Sequence, residues 1–138
     1  MIVADASVVV ELLLGSVSPA GNLLARHFES HEVVCAPHLL DAEVAQALRR
    51  FVLRQEMSPA QARASLDDLV DLPIRRFPHT ALLSRAFTLR DNVTVYDGLY
   101  LALSEVLDAP LLSCDAALRD IPGCTAAVEI VPSSPTPD

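Results

Sequence analysis

The sequence predicts an α/β fold with three layers, in which a short, mostly parallel sheet lies between two layers of helices. Short apolar runs with strand character alternate along the chain with longer segments of helical period. Strands separated by helices usually form right-handed crossovers into a parallel sheet. The length of 138 residues suits one hydrophobic core. We therefore expect one domain over residues 1–131 and a flexible, proline-rich tail over residues 132–138.

The first quarter of the chain contains two predicted strands and two predicted helices. The apolar run that ends at Asp5 is the first strand, and the helix after it stops at Gly15, a residue typical of helix ends. Pro19 begins a second helix, which reaches His31. The run VVCAP, closed by Pro37, then has the composition of a second buried strand.

The middle of the chain predicts a helical hairpin, an edge strand and a further helix. Apolar residues at helical spacing cover residues 39–54, and Ser58 with Pro59 begins another amphipathic helix. Residues 73–77 form a candidate strand, and their two arginines suit the exposed edge of a sheet. Residues 79–89 again have a helical pattern.

The last third of the chain predicts a core helix and two more strands. The helix over residues 96–107 places Leu99, Leu103, Val106 and Leu107 on one face. After it we expect a strand at 111–114, a short helix at 115–119 and an edge strand at 127–131.

Composition excludes several classes of function. A net charge of −8 argues against binding nucleic acid over a broad basic face. No apolar run approaches the roughly 20 residues of a membrane span, and Asp5 and Glu11 make the start unlike a signal peptide. We therefore expect a soluble, cytoplasmic protein without a membrane segment. No glycine-rich phosphate loop is present, so a nucleotide cofactor is not expected.

Four acidic residues are predicted to meet at one end of the sheet. Asp5 ends the first strand and Asp115 follows the fourth, and ligands of such sheets gather beyond the carboxyl ends of the strands. Glu43 and Asp97 lie in the first turns of their helices and can return to the same point. Carboxylates that cannot neutralise one another need a cation. The pattern therefore predicts a divalent-metal site able to hydrolyse phosphate esters.

Each of these acids also has an ordinary structural explanation, because Asp and Glu favour the N-termini of helices. Asp41 competes with Glu43 for the metal, but a step of two residues turns a helical side chain to nearly the opposite face. Only one of the two can contact the cation. Asp5 and Asp115 are the strongest candidates, since an unpaired carboxylate buried behind a strand would be costly.

Neighbouring polar residues supply the candidates for supporting roles. Ser7 and Ser113 can hydrogen-bond Asp5 and Asp115, although Ser7 could equally cap the first helix. All ten basic residues are arginines, which suits bidentate contacts to phosphate, and a bias of genomic composition would explain the same choice. The candidates for phosphate contact are Arg50 and Arg54, on the helical stripe of Glu43, and Arg119, beside the Asp115 segment.

Four motifs in this order, IVADAS, LLDAEVAQALRR, TVYDGLYLALSE and PLLSCDAALR, resemble the PIN-domain family, particularly the VapC toxins of bacterial toxin–antitoxin pairs. The resemblance extends from residue 1 to about residue 131. It places the acidic positions of the family on Asp5, Glu43, Asp97 and Asp115. The small hydroxyl residue before the last acid falls on Ser113, where the family more often has threonine.

The resemblance implies a PIN-like α/β/α fold and an endoribonuclease dependent on Mg²⁺, with Mn²⁺ able to substitute. It implies cleavage of RNA to 5′-phosphate and 3′-hydroxyl ends, a homodimer and a cognate VapB-like antitoxin. Asp5, Asp97 and Asp115 would then hold metal, and Glu43 would ligate through water or orient the nucleophile. Two alternatives stay open: a PIN-like metal-binding interaction module without nuclease activity, and a small metal-dependent phosphatase.

Overall fold

The computed structural model describes residues 1–15 and 17–134, and its centre is a five-stranded sheet. The strands lie in the order β3-β2-β1-β4-β5, and every neighbouring pair is parallel. The α/β fold class predicted from the sequence is thus confirmed. The strands are β1 (Ile2–Ala4), β2 (Val34–Pro37), β3 (Ile74–Phe77), β4 (Leu111–Ser113) and β5 (Val128–Ile130).

Helices cover both faces of this sheet. The six α-helices of the described chain are α1 (Ala6–Leu13), α2 (Pro19–Glu29), α3 (Leu39–Leu53), α4 (Pro59–Asp71), α5 (Leu83–Thr88) and α6 (Val95–Leu107). The helix α1 contacts α2, α3 and α4, whereas α5 packs against α6, which crosses β1, β2 and β4. The connections from β1 through β2 to β3 run in one direction across the sheet, and the connection to β4 returns. Right-handed crossovers therefore place the two groups of helices on opposite faces.

Serine and threonine side chains cap the starts of three of these helices. Ser18 accepts a hydrogen bond from the backbone of α2 at 3.0 Å. Ser58 and Gln61 form a reciprocal capping box at the start of α4, with distances of 3.1 and 2.9 Å. Thr94 Oγ1 accepts from the Asp97 backbone N–H at 3.1 Å and begins α6. Such caps accept hydrogen bonds from backbone N–H groups that have no partner within the helix. The capping residues therefore mark the observed starts of these helices.

The burial of the strands agrees with their predicted central and edge positions, but one residue that was predicted to be buried on α6 is exposed. The strands β1, β2 and β4 are buried throughout, while β3 and β5 are partly exposed at the edges. Val106, predicted to lie on the buried face of α6, is 70% exposed. Every residue from Gly98 to Ser104 is buried, so the middle of the helix is enclosed on all sides and its last turn emerges into solvent. The spacing of apolar residues alone could not show where α6 leaves the core.

Two predicted helices are shorter and tighter than expected. The segment 79–89 begins with a 3-10 turn over Thr80–Leu82 before α5, and the segment 115–119 is a single 3-10 turn over Ala116–Leu118. Every helix in the described ranges is too short or too polar to cross a lipid bilayer.

The first residues of the predicted tail make specific contacts. The carbonyl of Pro132 accepts from the Ala20 backbone N–H at 3.1 Å. The backbone N–H and the hydroxyl of Ser134 donate to the Glu11 carboxylate at 3.2 and 2.7 Å. Residues 135–138, the rest of that predicted tail, lie outside the described residues.

Candidate active site

The topology of the sheet creates a crevice between β1 and β4. The chain leaves β1 towards β2 and β3, then returns to β4 on the other side of β1. Ligands of open α/β sheets bind beyond the carboxyl ends of the strands at such a reversal. Asp5 directly follows β1 and Asp115 comes two residues after β4. Both predicted site residues are therefore at this crevice.

Asp5 is held firmly in an environment that disfavours its charge. It is 8% exposed and caps α1, accepting from the Val8 backbone N–H at 3.3 Å. The Ser7 hydroxyl donates to the same carboxylate oxygen at 2.5 Å. Burial raises the pKa of Asp5, and hydrogen bonds from Ser113 and Ser7 offset this only in part. A nearby positive charge would stabilise the ionised form.

The two serines connect the loops that follow β1 and β4. The Ser7 oxygen accepts from the Cys114 backbone N–H at 2.9 Å while its proton goes to Asp5. Ser113 is fully buried, and its oxygen accepts from the Asp115 backbone N–H at 3.0 Å. Asp5, not Ser7, occupies the N-cap position of α1, so the alternative role considered for Ser7 is wrong. The serines instead fix the positions of the two acidic loops.

Glu43 and Asp97 complete an electrostatically coupled group. Burial raises the pKa of Glu43, and the negative charges of Asp97 and Asp5 raise it further. Burial likewise raises the pKa of Asp97, followed by the charges of Asp115 and Asp5. The fold thus links four carboxylates that are far apart in sequence, since Asp97 interacts with Asp5, Glu43 and Asp115, and Glu43 also interacts with Asp5. Their mutual repulsion would be relieved by a cation.

The donor chemistry of this group fits a hard divalent cation. Carboxylate oxygens are the ligands that Mg²⁺ prefers, and Mg²⁺ usually keeps several waters beside one or two carboxylates. Within residues 1–15 and 17–134, no three Asp, Glu, His or Cys side chains lie close enough together to hold a metal ion between them. A cation at this group would therefore be held partly through bound water.

A cleft of about 600 Å³ opens beside the acids, between α1 and α3. Arg50 lines it, whereas Arg54 follows the end of α3 and is not among the lining residues. Arg119 is exposed directly after the 3-10 turn that follows Asp115. The wall combines polar with apolar side chains, which include Ser7, Val10, Leu39, Glu43, Ala47, Phe51 and Tyr96.

Asp41 turns away from the site, in agreement with its helical position relative to Glu43. Its carboxylate accepts from the guanidinium of Arg76 at 3.0 to 3.2 Å. The same guanidinium donates to the carbonyls of Leu69, Leu72 and Ile74 at 2.8 to 3.3 Å. Asp41 therefore helps to join α3 to β3 and the end of α4.

The sequence reasoning missed Tyr100, which lies three residues after Asp97 on α6. Burial raises its pKa, followed by the charge of Glu43, so its hydroxyl lies close to the acidic group. That hydroxyl nevertheless makes no hydrogen bond of standard geometry in the described chain. The spacing of three residues from Asp97 was the available signal, but tyrosine within an apolar helix is usually part of the core.

Comparison with known sequences identifies relatives over most of the chain. The family model described as PIN domain matches residues 2–123. Ribonuclease VapC1 of Mycobacterium tuberculosis is 45% identical over 130 residues, which cover 94% of this chain and 96% of the relative. Ribonuclease VapC12 of the same organism is 42% identical over 131 residues, covering 95% and 99%.

Solved structures show the same fold at much lower sequence identity. VapBC2 from Rickettsia felis, bound to a DNA fragment from its promoter, superposes with a TM-score of 0.70 at 14% identity, covering 95% of this chain and 99% of that one. PAE2754 from Pyrobaculum aerophilum superposes with a TM-score of 0.68 at 19% identity, covering 92% and 81%. The arrangement of strands and helices is therefore shared well beyond recognisable sequence similarity.

Proposed function

Since this chain belongs to the PIN-domain family, we propose that it is a metal-dependent endoribonuclease and the toxin of a VapBC-type toxin–antitoxin pair. The observation that carries the proposal is the coupled group of Asp5, Glu43, Asp97 and Asp115 at the crevice between β1 and β4. The resemblance of the four sequence motifs places the acidic positions of the family on the same residues. The relatives named ribonuclease VapC supply the class of substrate.

Each acid has a distinct proposed role. Asp5, Asp97 and Asp115 would hold Mg²⁺, with Mn²⁺ able to substitute, and such a cation supplies Lewis-acid activation of the phosphodiester. Glu43, whose pKa is raised by burial and by its acidic neighbours, is suited to accept a proton from the attacking water. The water oxygen bonds to phosphorus and the bond to the 3′ oxygen breaks. The products are a 5′-phosphate and a 3′-hydroxyl.

RNA must be held by local cations, because the protein has a net charge of −8. Arg50 is the first candidate, since it lines the cleft beside Glu43, and Arg54 and Arg119 would contact the flanking backbone. Loss of one phosphate contact reduces the salt dependence of binding by roughly one unit of slope. Arg50→Ala should therefore flatten the salt dependence of RNA binding, measured on an uncleaved RNA without added metal.

The activity is tested by incubating the purified protein with total cellular RNA, with and without Mg²⁺, and mapping the cut ends. Asp5→Asn should abolish cleavage while it preserves the cap of α1, because Asn caps helices as well as Asp. Asp67→Asn, at an exposed position of α4, is the matched control.

Three outcomes of that assay separate the alternatives. Wild-type cleavage by Asp5→Asn would remove the catalytic assignment. Release of inorganic phosphate from monoesters without internal cutting would favour a phosphatase, and metal binding without any hydrolysis would favour an interaction module.

The cleft also suits an inhibitory partner. Leu39, Ala47 and Phe51 offer apolar contacts for an amphipathic segment of a VapB-like antitoxin. A basic side chain from that segment can pair with the carboxylates and compete with the cation. The structural neighbour from Rickettsia felis, VapBC2, bears the name of such a pair.

Co-purification with the product of the neighbouring gene, followed by cleavage assays at fixed Mg²⁺, tests this interaction. Phe51→Glu should weaken binding and inhibition, whereas Phe87→Glu, at an exposed position of α5, should not. A partner that binds and leaves cleavage unchanged would refute the inhibitory role. The cytoplasmic location and the homodimer belong to the same proposal, and light scattering of the purified protein tests the latter.

A further inference from the structure

One polar group beside the acidic residues has no partner that explains its presence. Tyr100 is 1% exposed, and its hydroxyl makes no hydrogen bond of standard geometry among the described residues. A buried hydroxyl left in this state destabilises the folded protein relative to a satisfied one. Phenylalanine would fill the same space without that cost. The stability of the fold therefore does not account for the hydroxyl.

The polar surroundings of this hydroxyl are carboxylates. After burial, the charges of Glu43, Asp5 and Asp97 raise the pKa of Tyr100, with Glu43 acting most strongly. The phenol thus stays protonated and can only donate to these groups. Glu43 is also the carboxylate whose pKa the Tyr100 hydroxyl lowers, against the larger effect of burial. The Tyr100 hydroxyl and the Glu43 carboxylate therefore interact directly, although they do not form a hydrogen bond of standard geometry.

Tyr100 belongs to the buried core, whereas Glu43 lines the cleft that is open to a substrate. Tyr100 is enclosed by the buried stretch of α6, between Leu99 and Leu101. Glu43 is half-buried and lines the cleft, and Tyr100 does not. A donor behind the carboxylate can fix its orientation without obstructing RNA or a cation on the cleft side.

We propose that Tyr100 is the positioning residue for Glu43: its buried hydroxyl donates to the Glu43 carboxylate in the substrate-bound enzyme and directs it towards the attacking water. This inference rests on the proposed nuclease function. Contacts within active sites are often long without substrate and tighten when it binds. The Tyr100 hydroxyl, which interacts with Glu43 without a hydrogen bond of standard geometry, is the donor that this tightening requires.

Two buried hydroxyls on α6 provide a matched pair of variants. Tyr100→Phe removes a hydroxyl that makes no hydrogen bond of standard geometry, whereas Ser104→Ala removes one that donates to the Ala109 carbonyl at 2.5 Å. Tyr100→Phe should lower kcat roughly 10-fold, as loss of a group that orients a ligand or base commonly does. Its KM should stay within about twofold and its metal-free Tm should be equal or higher. Ser104→Ala should show the reverse, with a lower Tm and an unchanged kcat.

A double-mutant cycle with Glu43→Gln, measured under single-turnover conditions, decides whether Tyr100 acts through Glu43. If it does, Tyr100→Phe should have little further effect in the Glu43→Gln background, because residues acting as a unit are not additive. An unchanged kcat for Tyr100→Phe, or the same loss in both backgrounds, would overturn the assignment alone. A wild-type protein that leaves RNA intact would overturn the nuclease function and this assignment with it.

Discussion

The acidic residues at the crevice differ sharply from an acidic residue at the other end of α6. Asp5, Glu43 and Asp97 lie near one another with raised pKa values. Glu105 instead receives the guanidinium of Arg85 at 3.1 and 3.2 Å. Burial by itself would raise the pKa of Glu105, but hydrogen bonds from Arg85 and its neighbours lower it overall. The Glu105 carboxylate is thus paired with a positive charge, whereas the carboxylates at the crevice lie near one another without such a partner among the described residues.

The contacts of Glu105 and Arg85 serve the structure of the fold. Arg85 also donates to the Gly123 carbonyl at 2.6 Å, and the Thr125 hydroxyl donates to Glu105 at 3.1 Å. These bonds join the loop before β5 to α5 and α6. The other ion pairs in the described chain likewise engage acids outside the crevice, such as Asp41 with Arg76. The crevice acids form no ion pair within the described residues, and this difference is what motivates the proposed cation.

Mutations in these two regions should have opposite consequences, and the loss of activity at the crevice should be the greatest change. Asp97→Asn should lower RNA cleavage by at least about 100-fold, because it removes a charge that supports catalysis by the cation. Glu105→Gln should retain cleavage within a few-fold and lower the free energy of unfolding by about 1 kcal/mol, since Arg85 is partly exposed. Initial cleavage rates and thermal denaturation measure both. Equal losses of activity in the two variants would contradict the separation.

A more moderate effect concerns Gly98, which links the two regions. A Cβ at this position would lie 3.0 Å from the Ala86 carbonyl oxygen and 3.1 Å from its Cβ, on α5. Gly98→Ala should therefore destabilise the protein by about 1–3 kcal/mol despite the better helix propensity of alanine. It should also lower cleavage by displacing the adjacent Asp97. A more stable and fully active variant would show that α5 and α6 do not need this close approach.

A modest effect is expected in the dependence of metal-free stability on pH. Asp5, Glu43 and Asp97 have pKa values raised above the ordinary 3.8 or 4.5, so their contribution to stability is present below those values and lost as the pH rises. Glu105 has a lowered pKa, so its contribution is present above 4.5 and lost as the pH falls.

Thermal denaturation between about pH 3 and 8 tests these opposite signs, with expected effects of about 1 kcal/mol. Asp5→Asn should flatten the decline towards neutral pH, and Glu105→Gln should flatten the decline towards acidic pH. Mg²⁺ should raise the Tm of the wild-type protein at neutral pH through binding linkage. A wild-type Tm that does not respond to Mg²⁺ would count against a cation at the crevice.

Much of the fold could be predicted because its signals are local. Ser58 and Pro59 begin α4 as their capping chemistry requires, and the short apolar runs became strands. Errors arose where neighbours beyond the local sequence mattered. Val106 has the right period for a buried face but lies where α6 leaves the core. Ser134, assigned to a flexible tail, contacts Glu11 from a distant part of the chain.

Local patterns were sufficient to specify the order of strands and helices, and they located Asp5 and Asp115 after strands and Asp97 in the first turn of α6. Glu43, expected in the first turn of α3, lies in the second, and Asp41 occupies the first. Which carboxylates are neutralised depends on tertiary contacts, because their partners are remote in sequence. Asp41 meets Arg76 at a separation of 35 residues, and Glu105 meets Arg85 at a separation of 20. The approach of the Tyr100 hydroxyl to Glu43 has the same origin. Local sequence sets which residues can ionise or donate, whereas burial and distant partners set which of them remain unsatisfied.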